Sequence, residues 1–243
     1  MFELPTQKIP AEKQDPKNLI IFSKPKYGKS FACANIPNAL CIDLENGGYD
    51  YIDAMKVKIN SIKELKELCK AIKEAGNPYQ FIVLDTITRL EDMVKPLALK
   101  LYQNTPAGSK FTGDDVLDAA MGQGYKYVRE AMEMCIDMVS ACAPNIILIC
   151  HTKDAAIANT EMTTKTIDLL GKTGRILASK SDAIAYLTRD ENSNTVLSFN
   201  TNDKFIECGA RPAHLRNKDV VIGEMQDDGN LEFHWERIYP SLA

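Results

Sequence analysis

Four short apolar runs constrain this chain most. They are NLIIF at 18–22, ALCIDL at 39–44, YQFIVLD at 79–85 and NIILICH at 145–151. Each is bounded by polar residues or turn formers, which suits a buried strand. The segments between the later runs carry a helical period instead. SIKELKELCKAIKEAG at 61–76 places Ile62, Leu65, Cys69 and Ile72 on one face. Ser61 and Glu64 form its capping box, and Gly76 and Pro78 end it. TRLEDMVKPLALKLY at 88–102 predicts a helix opened by Thr88 and Glu91 and kinked at Pro96. Residues 125–142 predict a long helix that stops before Pro144. Strands alternating with helices imply an α/β fold, a mostly parallel sheet flanked by helices. Further along, DAIAYLT and TVLSFNT read as a strand pair joined by RDENSN, and VVIGEMQDDGNLEFHWERI as a hairpin turning at Asp228 and Gly229. Antiparallel strands therefore follow at the C-terminal end. The expected division is an extended arm over 1–17, a core over 18–207, and an extension over 208–243 that packs as a hairpin on the core.

In sheets of this kind ligands bind at the carboxyl ends of the strands. The first such end reads Ser23, Lys24, Pro25, Lys26, Tyr27, Gly28, Lys29, Ser30, Phe31. This is the spacing of a phosphate-binding loop, G-x-x-x-x-G-K-[ST], with Ser23 in place of the first glycine. Such a loop turns backbone N–H groups onto phosphate oxygens at the start of a helix, here FACANI. Gly28 permits close approach, Lys29 reaches the β- and γ-phosphates, and the Ser30 hydroxyl holds Mg²⁺. A chance GKS on a surface loop is the competing reading, but the preceding apolar strand and following helix favour the phosphate loop. ATP with Mg²⁺ is the ligand this predicts.

The other strand ends supply the rest of a triphosphate site. Asp85 closes FIVLD, where a carboxylate serves Mg²⁺ alongside Ser30. Its bland alternative is a helix cap, a task already given to Thr88. Hydrolysis also needs a carboxylate to orient the attacking water. AAA+ motors and many related ATPases place a Glu directly after the strand-terminal Asp, but here that residue is Thr86. Glu45, just past ALCIDL, is the candidate, and Asp43 is the alternative.

These segments together resemble the RecA-type ATPases over about residues 18–207. CIDLENGGYD resembles their strand that carries the water-activating Glu, FIVLDTITRL their magnesium strand, and NIILICHTKD their γ-phosphate sensor strand. The chain is most similar to small RecA-core ATPases of phages, AAA-family nucleotide-binding proteins of the Sak type, some of which anneal single strands. The resemblance implies that His151 stands at the sensor position, where the family often has Gln. It implies two mobile loops for single-stranded DNA, one over 103–124 and one over 154–175. The basic run KTGRILASK at 172–180 would be a phosphate contact. It also implies a ring or filament of identical subunits in which a late-strand cation acts in trans, Lys204 here with Arg211 nearby. A nucleotide-dependent switch or loader that binds a protein partner is the alternative, and a small-molecule kinase is weaker because no Arg-rich lid follows the central strands.

Composition narrows the partners. The net charge of -4 excludes a polycation, so any DNA contact must be local. Seven cysteines without C-x-x-C or zinc spacing imply buried thiols in a cytoplasmic protein. The start, MFELPTQKIP, lacks the pattern of a signal peptide, and no apolar run spans a membrane. Phe2, Leu4 and Ile9 are the arm's only apolar anchors for docking on a neighbour.

Overall fold

A computed structural model describes residues 4, 6–157 and 160–243. The first strand, β1 (Asn18–Ser23), runs into the loop that precedes α1 (Lys29–Ala34). β2 (Ala39–Asp43), the short β3 (Lys56–Lys58), α2 (Ile62–Glu74) and β4 (Phe81–Asp85) follow. The helical segment after β4 is divided at Val94 into α3 (Ile87–Met93) and α4 (Lys95–Gln103), two residues before Pro96. Then come α5 (Gln123–Ser140), β5 (Asn145–Ala156), β6 (Thr163–Ile167), α6 (Thr173–Lys180) and β7 (Ala183–Arg189). β8 (Thr195–Ser198), β9 (Gly209–Ala210), β10 (Asp219–Met225) and β11 (Leu231–Phe233) complete the order.

Among the described residues the strands form one mixed sheet in the order β11-β10-β8-β7-β1-β5-β4-β2-β3, with β6 on β5 and β9 on β7. β1 lies between β5 and β7, and β4 between β2 and β5, all in parallel pairs. β7 with β8, β8 with β10, and β10 with β11 are antiparallel. The expected α/β architecture, parallel in the middle and antiparallel toward the C-terminus, is what forms. Residues 208–243 join the same sheet, and Trp235, Ile238 and Tyr239 are buried against it. One face of the sheet holds Ile20, Ile82 and Ile146 together with Leu65, Ala98 and Val128 from α2, α4 and α5. The other holds Leu19, Val83 and Ile147 against α1 and the C-terminal segment. β1, β2 and β4 are therefore buried on both sides, as their unbroken apolar sequences require.

Several local expectations need correction. Thr88 does not cap the helix after β4. Thr86 does, accepting a hydrogen bond from the Arg89 N–H at 3.2 Å, so the cap lies two residues earlier and α3 begins at Ile87. Glu91 does not reach back to the cap, because both its oxygens accept the Leu170 N–H at 3.0 and 2.9 Å. The stretch 154–175 is no open loop: β5 continues to Ala156 and pairs antiparallel with β6, and α6 opens at Thr173. Ala158 and Asn159 within it lie outside the described residues. Gln103 ends α4 and residues 104–115 do lie between it and a short 3-10 turn, but Val116 and Ala119 of the following stretch are buried in the core. Within the arm, Phe2 lies outside the described residues, and Leu4 and Ile9 are exposed. Asp15 accepts from Ser241, and the Lys17 N–H donates to Asp182 at 3.0 Å. Among the described residues all cysteines are free thiols, no helix is long and apolar enough to cross a membrane, and no three His, Cys, Asp or Glu cluster as a metal cage.

Candidate nucleotide site

The order of the central strands brings together the carboxyl ends of β1, β2, β4 and β5. Asp43 and Asp85 are register partners across β2 and β4, and Ser23 and His151 across β1 and β5. The polar residues that close the four apolar runs therefore meet at one edge.

The loop over 23–30 is closed by its own lysine. Lys29 is only 6% exposed, and its Nζ donates to the Ser23 carbonyl at 3.1 Å, the Ser23 Oγ at 3.1 Å and the Lys24 carbonyl at 3.0 Å. Burial lowers its pKa, and the nearby Asp85 carboxylate opposes that shift. Ser23 fits where a glycine is usual because its backbone does not enter the left-handed region. The positive φ values fall at Lys26 (65°) and Gly28 (96°). Gly28 suits the left-handed conformation the loop takes there. A Cβ there would lie 3.1 Å from Nη2 of Arg189. Lys24, Pro25 and Lys26 are exposed and Tyr27 borders on it, while Phe31 is 40% exposed and meets Phe233 edge-to-face at 5.6 Å.

Beside this loop the Ser30 Oγ donates to Asp85 Oδ2 at 2.5 Å. Asp85 is buried, and burial raises its carboxyl to about 6, against the Ser30 hydrogen bond that lowers it. A hydroxyl and a buried carboxylate oxygen facing each other are hard oxygen donors, the chemistry Mg²⁺ takes with one or two protein ligands and substrate phosphates. The two residues assigned to Mg²⁺ thus fit it. The peptide bond after Asp85 is cis.

Glu45 lies on the turn after β2. That turn is built by Asp43, whose carboxylate accepts the N–H groups of Glu45, Asn46 and Gly47, each at 3.0 Å. Asp43 is fully engaged with backbone, which leaves Glu45 as the available carboxylate. Glu45 Oε1 accepts from Thr86 Oγ1 at 2.8 Å and from His151 Nε2 at 2.9 Å. An ionised carboxylate only accepts, so Nε2 carries the proton. The His151 hydrogen bond, then that of Thr86, holds Glu45 below the usual carboxylate range despite partial burial. Among the described residues, His151 Nδ1 is buried with no hydrogen-bond partner. His151 therefore engages Glu45, a link that position in sequence does not disclose.

Lys204 is exposed in the turn after β8. That turn meets β6 through the Lys165 N–H and the Phe205 carbonyl at 2.7 Å, and among the described residues no hydrogen bond joins Lys204 to the phosphate loop. Arg211 binds Ser179 and Asp182. Two residues at the site were missed from sequence. Thr86 was seen only as a departure from another pattern. Arg189 ends β7, and its guanidinium lies over Gly28. A signal for it existed, since it is the polar residue closing an apolar run. It could not be used without knowing that β7 lies parallel beside β1.

Comparison with known proteins places the chain. A family model described as "AAA domain" matches residues 15–212. No curated protein sequence matches. A solved structure described as "Crystal structure of the RadB recombinase" is similar over 90% of this chain and 92% of that one, at 11% identity and a TM-score of 0.45.

Proposed function

Since the chain belongs to the AAA-domain family, we propose that it binds ATP with Mg²⁺ at the 23–30 loop, hydrolyses it, and works on single-stranded DNA. One observation carries the reading: Lys29, the Ser30–Asp85 pair and the Glu45–His151 pair converge from four strands on one edge. Lys29 binds the terminal phosphates by exchanging its carbonyl partners for charged oxygens, a stronger class of hydrogen bond. Ser30 and Asp85 hold Mg²⁺, which when bound neutralises charge building on the β- and γ-phosphates. Glu45 receives both donors on Oε1. Among the described residues Oε2 has no partner, and it is free to orient a water toward the γ-phosphate. His151 fixes the Glu45 carboxylate, so a shift of either side chain on hydrolysis is felt by the other and passes along β5 into the β5–β6 hairpin. Exposed Lys172 and Arg175 beside that hairpin supply local positive charge for a DNA backbone. We assign the exposed Lys204 to the active site of a neighbouring subunit in a ring or filament.

A second reading has its own support. The 103–124 segment carries one cation, Lys110, against Asp114, Asp115 and Asp118, a poor surface for phosphates. It favours a nucleotide-dependent switch whose partner is a protein. ATPase assays with and without single-stranded DNA, at two salt concentrations, separate the two. Salt-sensitive stimulation supports the DNA reading, and its absence supports the switch. Lys29→Ala should abolish ATP binding in calorimetry, and retained binding refutes the site. Glu45→Gln should bind ATP yet lose about 10²–10⁴-fold in turnover, the usual range for a positioned base.

A further inference from the structure

Beside Ser30 and Asp85 lies a third polar group with no evident task. Tyr49 is fully buried, yet its hydroxyl has no hydrogen-bond partner among the described residues. A buried donor left unpaired costs about 1–3 kcal/mol, and folded proteins keep few such groups without a reason. We infer that Tyr49 is a positioning residue of the Mg²⁺ site, its hydroxyl the second donor that holds the Asp85 carboxylate alongside Ser30, an inference that rests on the ATP and Mg²⁺ reading.

The backbone puts Tyr49 within reach. It follows the turn that Asp43 organises through the N–H groups of Glu45, Asn46 and Gly47. The chain passes the metal pair one residue earlier, where a Cβ on Gly48 would lie 4.0 Å from the Ser30 Oγ. The ring then enters the core that holds Ala32 and Cys33 of α1, Cys41 of β2 and Val83 of β4. Lys56 fixes the main chain here, its Nζ donating to the Tyr49 carbonyl at 2.5 Å and the Ile52 carbonyl at 2.9 Å. Tyr49 is thus anchored at its backbone and unanchored at its hydroxyl.

The chemistry around that hydroxyl selects its partner. It faces the Cys41 thiol and the Asp85 carboxylate. A thiol sulfur is a weak acceptor and a carboxylate a strong one. Burial raises the phenol pKa, so the hydroxyl keeps its proton and is a donor. Among the described residues the Asp85 side chain has one completed hydrogen bond, from Ser30 to Oδ2 at 2.5 Å. One donor on one oxygen leaves a carboxylate able to turn. A second donor, from a different element, stops that rotation, and metal sites depend on such support for their carboxylates. A small turn of Asp85 toward Tyr49 completes the bond. It would also tie the turn that carries Glu45 to the metal carboxylate.

Tyr49→Phe removes the hydroxyl and keeps the ring. Calorimetry of ATP binding to the full chain, once with Mg²⁺ and once with EDTA, reads the gain in affinity that Mg²⁺ supplies. In Tyr49→Phe that gain should shrink about tenfold, the weight of one hydrogen bond to a charged group, while metal-free ATP binding stays within about twofold of wild type. The urea midpoint of the ligand-free variant should not fall, because an unpaired polar atom has been removed. An unchanged Mg²⁺ gain overturns the inference, as does a wild-type chain that shows no gain. Equal loss of ATP affinity with and without metal, or a lower urea midpoint, overturns it too, since either makes Tyr49 a packing residue only. In all these cases the loop reading stands so long as wild type binds ATP and Lys29→Ala does not. A wild-type chain that binds no ATP refutes the loop reading and this inference together.

Discussion

At the scale of single residues, Thr86 shows how one side chain serves fold and chemistry together. Its hydroxyl oxygen accepts the Arg89 N–H to cap α3, and its proton goes to Glu45 Oε1. Thr86→Val removes both. Loss of a cap costs about 0.5–2 kcal/mol, measurable as a shift in urea midpoint. Glu45 also loses one of two hydrogen bonds that lower its pKa. Its carboxylate then ionises at a higher pH, and the acid limb of the ATPase pH profile should move up. An unmoved limb would show that another group is the base. Sequence spacing was sufficient to put the 23–30 loop, Asp85 and Glu45 at the carboxyl ends of strands, because backbone geometry ties those residues to strand ends. It was insufficient for the partners of Glu45, since Thr86 and His151 come from two other strands. Ser23 was readable only as a departure. Its role as an acceptor for Lys29 depends on how the loop closes. Ser23→Ala leaves two carbonyl acceptors, so ATP affinity should fall by no more than about threefold, with calorimetry as the check.

Among the elements, α2 is the one most fully given by sequence. Its capping box, apolar stripe and Gly76 stop are all local. Ser61 caps through the Glu64 N–H, and Glu64 returns to the Asn60 N–H. The β5–β6 hairpin was misread as a loop because TTKTI at 163–167 has no apolar alternation of its own and is a strand only by pairing. β3 was missed for a similar reason, as KVK is defined by its register on β2. Glu91 links these levels, holding the segment after β6 onto α3. Burial pushes its carboxyl up to about 7, from an ordinary value near 4.5, against the Leu170 hydrogen bond. With a raised value, the folded state binds the extra proton between those limits. Its contribution to stability is complete below about 4.5 and is lost as pH rises through about 7. Glu91→Gln should flatten the fall in stability across that window, where one proton changes the slope by up to about 1.4 kcal/mol per pH unit. Urea midpoints at pH 5, 6, 7 and 8 test it. Parallel curves for both proteins would mean that Glu91 is ionised throughout.

For the whole molecule, the strand order decides what sequence leaves open. A local pattern identifies β7, β8 and β10 as strands but not that they extend the β1 edge. That placement brings Arg189 to the phosphate loop and the C-terminal turn to α1. It also makes the C-terminal segment part of the common core: Trp235 is 2% exposed and hydrogen-bonded to α1, and Tyr239 packs on Phe81 at 4.8 Å. The chain has a single tryptophan, so its fluorescence reports on this segment alone, while far-UV circular dichroism reports on all the helices. One continuous sheet with Trp235 wedged beneath α1 should unfold as one unit. The two probes should then give coincident urea midpoints, the mark of a two-state transition. Were residues 208–243 an appended hairpin with its own stability, fluorescence would change at lower urea. Saturating Mg-ATP sharpens the test, because a ligand bound only by the folded state raises the midpoint of everything that unfolds with its site. Both probes should rise together. A rise seen by circular dichroism alone would separate the C-terminal segment from the nucleotide site.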